Sequence, residues 1–239
     1  MKKLSDGIHF LAAHGLNLFA VFDCHSLPRA LQQVLLDAKL SIDDYPRLIL
    51  LGHGGRQLWR SLKQDDTASK DPVDDFSQRF ACQFIQDYLD DAQTHFLYPG
   101  SIPLSLIRLG ELAGWSYPSP LGLGINPIYG LWFAYRAAFL TAADVSPTVP
   151  LAEPHNAQHP CESCQDKPCI TTCPVRAVQW NQPFNIESCY NHRRADASPC
   201  VDRCLSRLAC PVGKDHQYTV AQIQHHYDLS RSIFTARKR

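Results

Sequence analysis

Eight of the ten cysteines lie between Cys161 and Cys210. The first four run Cys161-x2-Cys164-x4-Cys169-x3-Cys173, followed by Pro174. The second four run Cys189-x10-Cys200-x3-Cys204-x5-Cys210, followed by Pro211. A short loop this rich in thiols can wrap an inorganic core while its N–H groups face the bridging sulfides, the arrangement that holds an iron–sulfur cluster. Zinc is the first rival. Structural zinc favours two Cys-x2-Cys pairs on separate knuckles, and a proline after the last cysteine is not its mark. Disulfides are the second rival, and they conflict with a reducing compartment. Eight cysteines make two four-thiolate sites with none left over, so the spacing predicts two [4Fe–4S] clusters. Cys24 and Cys82 stand apart and read as ordinary core thiols.

The Cys-Pro endings resemble ferredoxin-type loops, in whose two-cluster form the fourth cysteine serves the other cluster. That resemblance implies a crossed pattern, with Cys161, Cys164, Cys169 and Cys210 on one cluster and Cys189, Cys200, Cys204 and Cys173 on the other. The four-residue middle gap of the first run departs from the small bacterial pattern and is similar to iron–sulfur subunits of molybdenum oxidoreductases. His192, close to Cys189, reads as a solvated loop histidine, with donation to a cluster as the alternative.

Such loops need a scaffold, and 239 residues with 45% apolar content can supply one. The formal charge is +0, so no basic surplus points to nucleic acid and no acidic run points to a solvated tail. The terminal ARKR (236–239) is too short to argue from. The N-terminal MKKLSDGIHFLAAHGLNLFAVFD superficially resembles a leader. Ser5, Asp6, Gly7, His14 and Asn17 interrupt it, so the expectation is a cytoplasmic protein without a membrane span.

The first half mixes helix and strand patterns. LNLFAVF (16–22), RLILL (47–51), THFLY (94–98) and YGLWFAYRAAFLTA (129–142) have strand character. PRALQQVLLDAKL, FSQRFACQFIQDYL (76–89) and IPLSLIRLGELAG (102–114, opened by Pro103 and closed by Gly114) have helical spacing. SPTVPLAEPHNAQHP (146–160) reads as a connector over the surface. The tail TVAQIQHHYDLSRSIF (219–234) predicts an amphipathic helix with Val220, Ile223 and Tyr227 on its packed face. GHGG (52–55) reads as a tight strand-to-helix turn. In DCHSLP (23–28), which begins like a cobalt-ligating Asp-x-His-x-x-Gly motif, Ser26 reads as a helix cap.

LGLGINPIYGLWFAYRAAFLT (121–141) resembles a block shared by epoxyqueuosine reductase and the cobalamin-processing CblC family, with Pro127, Gly130, Trp132 and Phe133 as its core. The continuation from Trp132 to Arg136, DPVD (71–74) and LYPGSIP (97–103) are similar to CblC in particular. The likeness to epoxyqueuosine reductase extends into the second half, because that family follows its corrinoid domain with two [4Fe–4S] clusters. One departure matters. Where epoxyqueuosine reductase carries a catalytic aspartate, this chain has Gly100, which has no proton to give. The second cysteine run also lacks that family's form. Epoxyqueuosine chemistry and tRNA binding are therefore not expected.

What the resemblance implies is an α+β chain. A nitroreductase-like, CblC-like domain (1–155) precedes a ferredoxin-like iron–sulfur domain (156–215) and a helical tail (216–239). It implies cobalamin or another corrinoid in the first domain, reduced or stripped of its upper ligand by electrons from the clusters, hence an oxidoreductase. Gly122 and Gly124 would let the backbone lie against the flat ring. Trp132 and Phe133 would pack on an apolar face or in the core. Arg136 would pair with a propionamide, a phosphate or a carboxylate. No catalytic residue is assigned and the electron donor is unidentified; homodimerisation is expected by analogy alone. Two other readings stay open: a ferredoxin-type electron carrier with a docking domain, and a reductase holding flavin or haem.

Overall fold

The computed structural model describes residues 3–65, 69–149, 159–195 and 197–236, with side chains as far as Asp228. The fold is α+β, and the chain divides into two compact units: Met1–Trp115 with Phe133–Asn156, and Ser116–Trp132 with Ala157–Arg239. Residues 116–132, which the sequence assigns to the first domain, thus fold with the second unit, as does the C-terminal helix.

In chain order the first unit contains α1 (Leu4–Ala13), β1 (Leu18–Asp23), α2 (Arg29–Asp37), β2 (Arg47–Gly54), α3 (Gln57–Lys63), α4 (Pro72–Tyr88), β3 (Thr94–Tyr98) and α5 (Leu106–Leu112). The second unit begins with the two-residue strands β4 (Tyr117–Pro118) and β5 (Gly124–Ile125). The chain returns to the first unit for β6 (Phe133–Thr141). The second unit then continues with α6 (Pro160–Ser163), α7 (Pro168–Thr171), α8 (Ile186–Arg194), α9 (Leu205–Ala209) and α10 (Val220–Ala236).

The first unit is built on a sheet of order β1-β2-β6-β3, antiparallel throughout. Successive side chains of a strand point to opposite faces. Ile49 and Leu51 enter one core with Leu11, Phe84 and Phe139; Leu48 and Leu50 enter the other with Leu31, Leu35 and Leu109. Both faces are covered, which is why RLILL is apolar without alternation. Helix α1 packs on α4, where the His14 and Phe80 rings stack at 3.9 Å.

Several local expectations need correction. Ser26 does not cap α2; its hydroxyl donates to Asp23 at 2.8 Å. Helix α5 starts three residues beyond Pro103, because the Ser105 side chain accepts from the Arg108 N–H at 3.2 Å and sets the first turn there. The connector begins on the surface, with Ser146, Pro147 and Thr148 exposed, and is pinned to β1 before it turns inward at Val149. Val21 donates to the Thr148 hydroxyl and accepts from the Thr148 N–H, both at 2.9 Å, and Val149 is buried beside it. Its residues 150–158 lie outside the described residues, as do 237–239 of ARKR. Along α10 Val220 is 60% exposed while Gln222 and Ile223 are buried. Among the described residues no helix is long and apolar enough to cross a membrane.

Candidate functional site

In the second unit the eight clustered cysteines separate into two quartets. A cavity of about 20 Å³ is lined by Cys161, Cys164, Cys169 and Cys210. A larger one, about 220 Å³, is lined by Cys173, Cys189, Cys200 and Cys204. The last cysteine of each run therefore stands with the first three of the other. Each brings its proline, Pro174 at the larger cavity and Pro211 at the smaller, and Leu121 lines both.

Short helices make this exchange possible. Helix α6 begins with the His159 ring accepting from the Cys161 N–H at 3.1 Å. Helix α7 carries Cys169 and packs on α9, whose N-cap is Cys204. The Ala177 N–H reaches the Cys173 Sγ at 3.3 Å, and the Arg207 N–H reaches the Cys204 Sγ at 3.4 Å. Burial, with Cys210, Cys169 and Cys164 adding to it, pushes the Cys161 thiol up to about 11. Burial likewise raises the Cys189 thiol, with Cys204, Cys173 and Cys200 contributing and Arg193 opposing. Cys173 differs: burial pulls it upward, but the N–H groups of Val175, Val178 and Ala177 and the Ser206 hydroxyl together hold it below its ordinary value. Among the described residues no three His, Cys, Asp or Glu side chains converge as ligands of a single ion would. Cys24 is fully buried, its thiol pushed up to about 12 mainly by burial, and Cys82 is exposed.

Of the polar residues at the larger cavity, the sequence singled out His192 but not Arg207. His192 is on α8 rather than in a solvated loop, and its Nε2 is buried without a partner among the described residues. Arg207 also lines this cavity, and its Nε is likewise buried and unpartnered. Its position three residues after a capping cysteine is the one signal that could have drawn attention to it.

The residues assigned to a flat cofactor are shared between the two units. Gly122, Gly124 and Trp132 belong to the second, Phe133 and Arg136 to the first. Gly122 is exposed near Phe184, Gly124 is half-buried in β5, and Phe133 is half-buried. Trp132 is 1% exposed. Its ring carries the Arg207 guanidinium at 4.4 Å and meets Tyr218 edge-on at 5.3 Å.

Arg136 shows why an arginine can stand in an apolar strand. Leu51 pairs with Ala137 and Gly52 with Tyr135, which leaves Arg136 as the extra residue of a β-bulge. The bulge re-aims its side chain toward His53 and Asp74. The Nε donates to the His53 Nδ1 at 2.9 Å, and a terminal nitrogen lies 3.4 Å from the Asp74 Oδ1. GHGG, DPVD and the Trp132–Arg136 stretch thereby supply one polar cluster, with His53 fully buried. Arg136→Ala is expected to destabilise the protein by about 2–3 kcal/mol in a denaturant titration. The loss falls below the roughly 3–5 kcal/mol of a fully buried broken pair, because the Asp74 side chain keeps 38% exposure.

Burial raises the Asp74 carboxyl above its ordinary 3.8, against the pull of Arg136. A folded-state value above the unfolded one means that the native state binds more protons in that window. This group's contribution to stability therefore falls as pH rises from 3.8 through the raised value. Asp74→Asn is expected to remove that slope from a plot of urea midpoint against pH.

Gly100 follows β3. A Cβ there would stand 2.8 Å from the Leu97 carbonyl oxygen, closer than side chains pack, so the loop as built has no room for an aspartate. Gly100→Asp is expected to cost about 1–3 kcal/mol, read from thermal or urea unfolding.

No protein-family model matches the sequence and no curated protein matches it. Solved structures do. An epoxyqueuosine reductase from Bacillus subtilis, with its catalytic aspartate loop swung out of the active site, aligns at a TM-score of 0.55 and 14% identity, over 91% of this chain and 67% of its own. The Streptococcus thermophilus epoxyqueuosine reductase aligns at 0.52 and 12% identity, over 90% and 67%. A B12-trafficking CblC protein of C. elegans aligns at 0.46 and 14% identity, over 93% and 91%, too loose a likeness to carry an argument. The fold is thus that of the epoxyqueuosine reductases over most of this chain.

Proposed function

We propose that this chain is an iron–sulfur redox protein that holds two [4Fe–4S] clusters and passes electrons to a corrinoid or a similar flat cofactor. The observation that carries the reading is the pair of cysteine rings. A single zinc draws its sulfurs to one point about 2.3 Å away, whereas a cluster spreads them around a core. Here the sulfurs ring cavities. Cys161, Cys164, Cys169 and Cys210 hold one cluster, and Cys173, Cys189, Cys200 and Cys204 the other. Each cluster, once bound, stores and releases one electron. The chain's part is to supply thiolates, bring the Ala177 and Arg207 N–H groups to two of them, and wall the sites with apolar side chains such as Leu121, Val178 and Phe184. Leu121 lines both cavities, so the two sites are neighbours.

The corrinoid enters from the sequence blocks 71–74 and 121–141, supported by the fold likeness to epoxyqueuosine reductase. Cobalamin reduction or upper-ligand removal fits one-electron delivery; epoxyqueuosine reduction does not, because Gly100 offers no acid. No pocket residue is assigned. Trp132 has Arg207 on its ring and Arg136 is engaged by His53 and Asp74. Those engagements favour the second reading, a ferredoxin-type carrier without a corrinoid.

Anaerobically reconstituted protein should contain about eight iron and eight sulfide per chain. Added hydroxocobalamin should shift its corrin spectrum and bind by calorimetry. Two clusters with neither shift nor heat would leave the carrier reading in place and sink the corrinoid one.

A further inference from the structure

The two cysteine rings differ in what surrounds them. Among the described residues that line the smaller cavity Lys167 is the one cation, and its ammonium is engaged by the Cys164 carbonyl at 2.8 Å and the Trp180 ring at 4.3 Å. The larger cavity is lined by His192, Arg193, Arg203 and Arg207. Arg203 is neutralised by Asp202, with contacts of 2.7 and 2.8 Å. Among the described residues Arg207 pairs with no carboxylate: a terminal nitrogen donates to the Leu131 carbonyl at 2.6 Å, and the guanidinium rests on Trp132 at 4.4 Å and near Tyr218 at 5.3 Å. These contacts hold the cation in place while its Nε, like the His192 Nε2, stays buried and without a partner among the described residues. Among the described residues no carboxylate lines either cavity.

Accepting an electron adds negative charge to a cluster. A fixed cation and N–H donors beside it favour the reduced state and raise its potential. We propose that the cluster of Cys173, Cys189, Cys200 and Cys204 is the higher-potential member of the pair, set there by Arg207 and assisted by His192. An electron entering the pair then settles at this cluster, and the Cys161–Cys164–Cys169–Cys210 cluster stands upstream of it. The inference rests on the two-cluster reading above.

The test is a redox titration followed by electron paramagnetic resonance on anaerobically reconstituted full-length protein. Two one-electron couples are expected. Cys161→Ala should abolish the lower couple and keep the higher. Arg207→Gln should move only the higher couple, to lower potential, and Arg207→Lys should restore most of the difference. His192→Phe should shift the same couple the same way by less. It leaves the Trp132 contact intact, so it carries the test should Arg207→Gln lose iron. A higher couple that disappears in Cys161→Ala overturns the proposal. So does a higher couple indifferent to both Arg207→Gln and His192→Phe. Wild-type protein with about four iron per chain overturns the two-cluster reading itself, an outcome distinct from two couples in the wrong order.

Discussion

Cys173→Ala is expected to remove the cluster of the second cysteine run, not that of its own. Cys173 lines the larger cavity with Cys189, Cys200 and Cys204, while Cys210 lines the smaller one with Cys161, Cys164 and Cys169. Each single variant should fall from about eight to about four iron per chain. The electron paramagnetic resonance spectrum that survives in Cys173→Ala should match that of Cys189→Ala, and Cys210→Ala should match Cys161→Ala. A match between Cys173→Ala and Cys161→Ala would show that each run keeps its own cluster. The effect is large because four thiolates are the full ligand set, and an alanine leaves one iron without a protein ligand.

Gly130→Ala is the second large effect, and it acts without touching a ligand. Gly130 has φ +58, and a Cβ there would stand 1.9 Å from the Val212 carbonyl oxygen. Gly213, with φ +65, reciprocates: its Cβ would stand 2.3 Å from the Tyr129 carbonyl carbon. Two chain segments thus cross backbone against backbone, and only glycine permits it. Val212 follows Cys210 and Pro211, and all three line the smaller cavity. A methyl group at position 130 must push this segment away and take Cys210 with it. Left-handed strain of about 1–2 kcal/mol and an overpacking cost of about 1–3 kcal/mol together predict a loss of about 2–5 kcal/mol. Iron content and the resonance spectrum should show the smaller-cavity cluster lost first. Full loading with an unchanged melting temperature would refute the mechanism.

The four strands of the first unit and helices α2, α4 and α5 were readable because burial leaves a local trace, whereas α1 was not read and GHGG, expected as a turn, supplies the last three residues of β2. Val21, Ile49 and Phe139 lie in apolar runs of strand length; Leu31 and Leu35 repeat at helical spacing. Boundaries were less readable where one polar side chain decides them, as Ser105 does for α5. Exposure along α10 was misjudged at Val220 because periodicity says that a helix has a packed face, not which residues a neighbour will cover.

By itself the sequence determined the number of thiols, their spacing, and the presence of glycine and arginine at positions where neither is ordinary. Those are local properties, written in consecutive residues. Only the tertiary structure decided what they meet. Arg136 finds His53 and Asp74, 83 and 62 residues away in sequence, because a bulge turns it to that face of the sheet. Gly130 is glycine because Val212 lies against it, and Arg207 is held because Leu131 and Trp132 fold beside it. A contact between distant residues leaves no mark on the residues between them, so spacing can name the groups but not pair them.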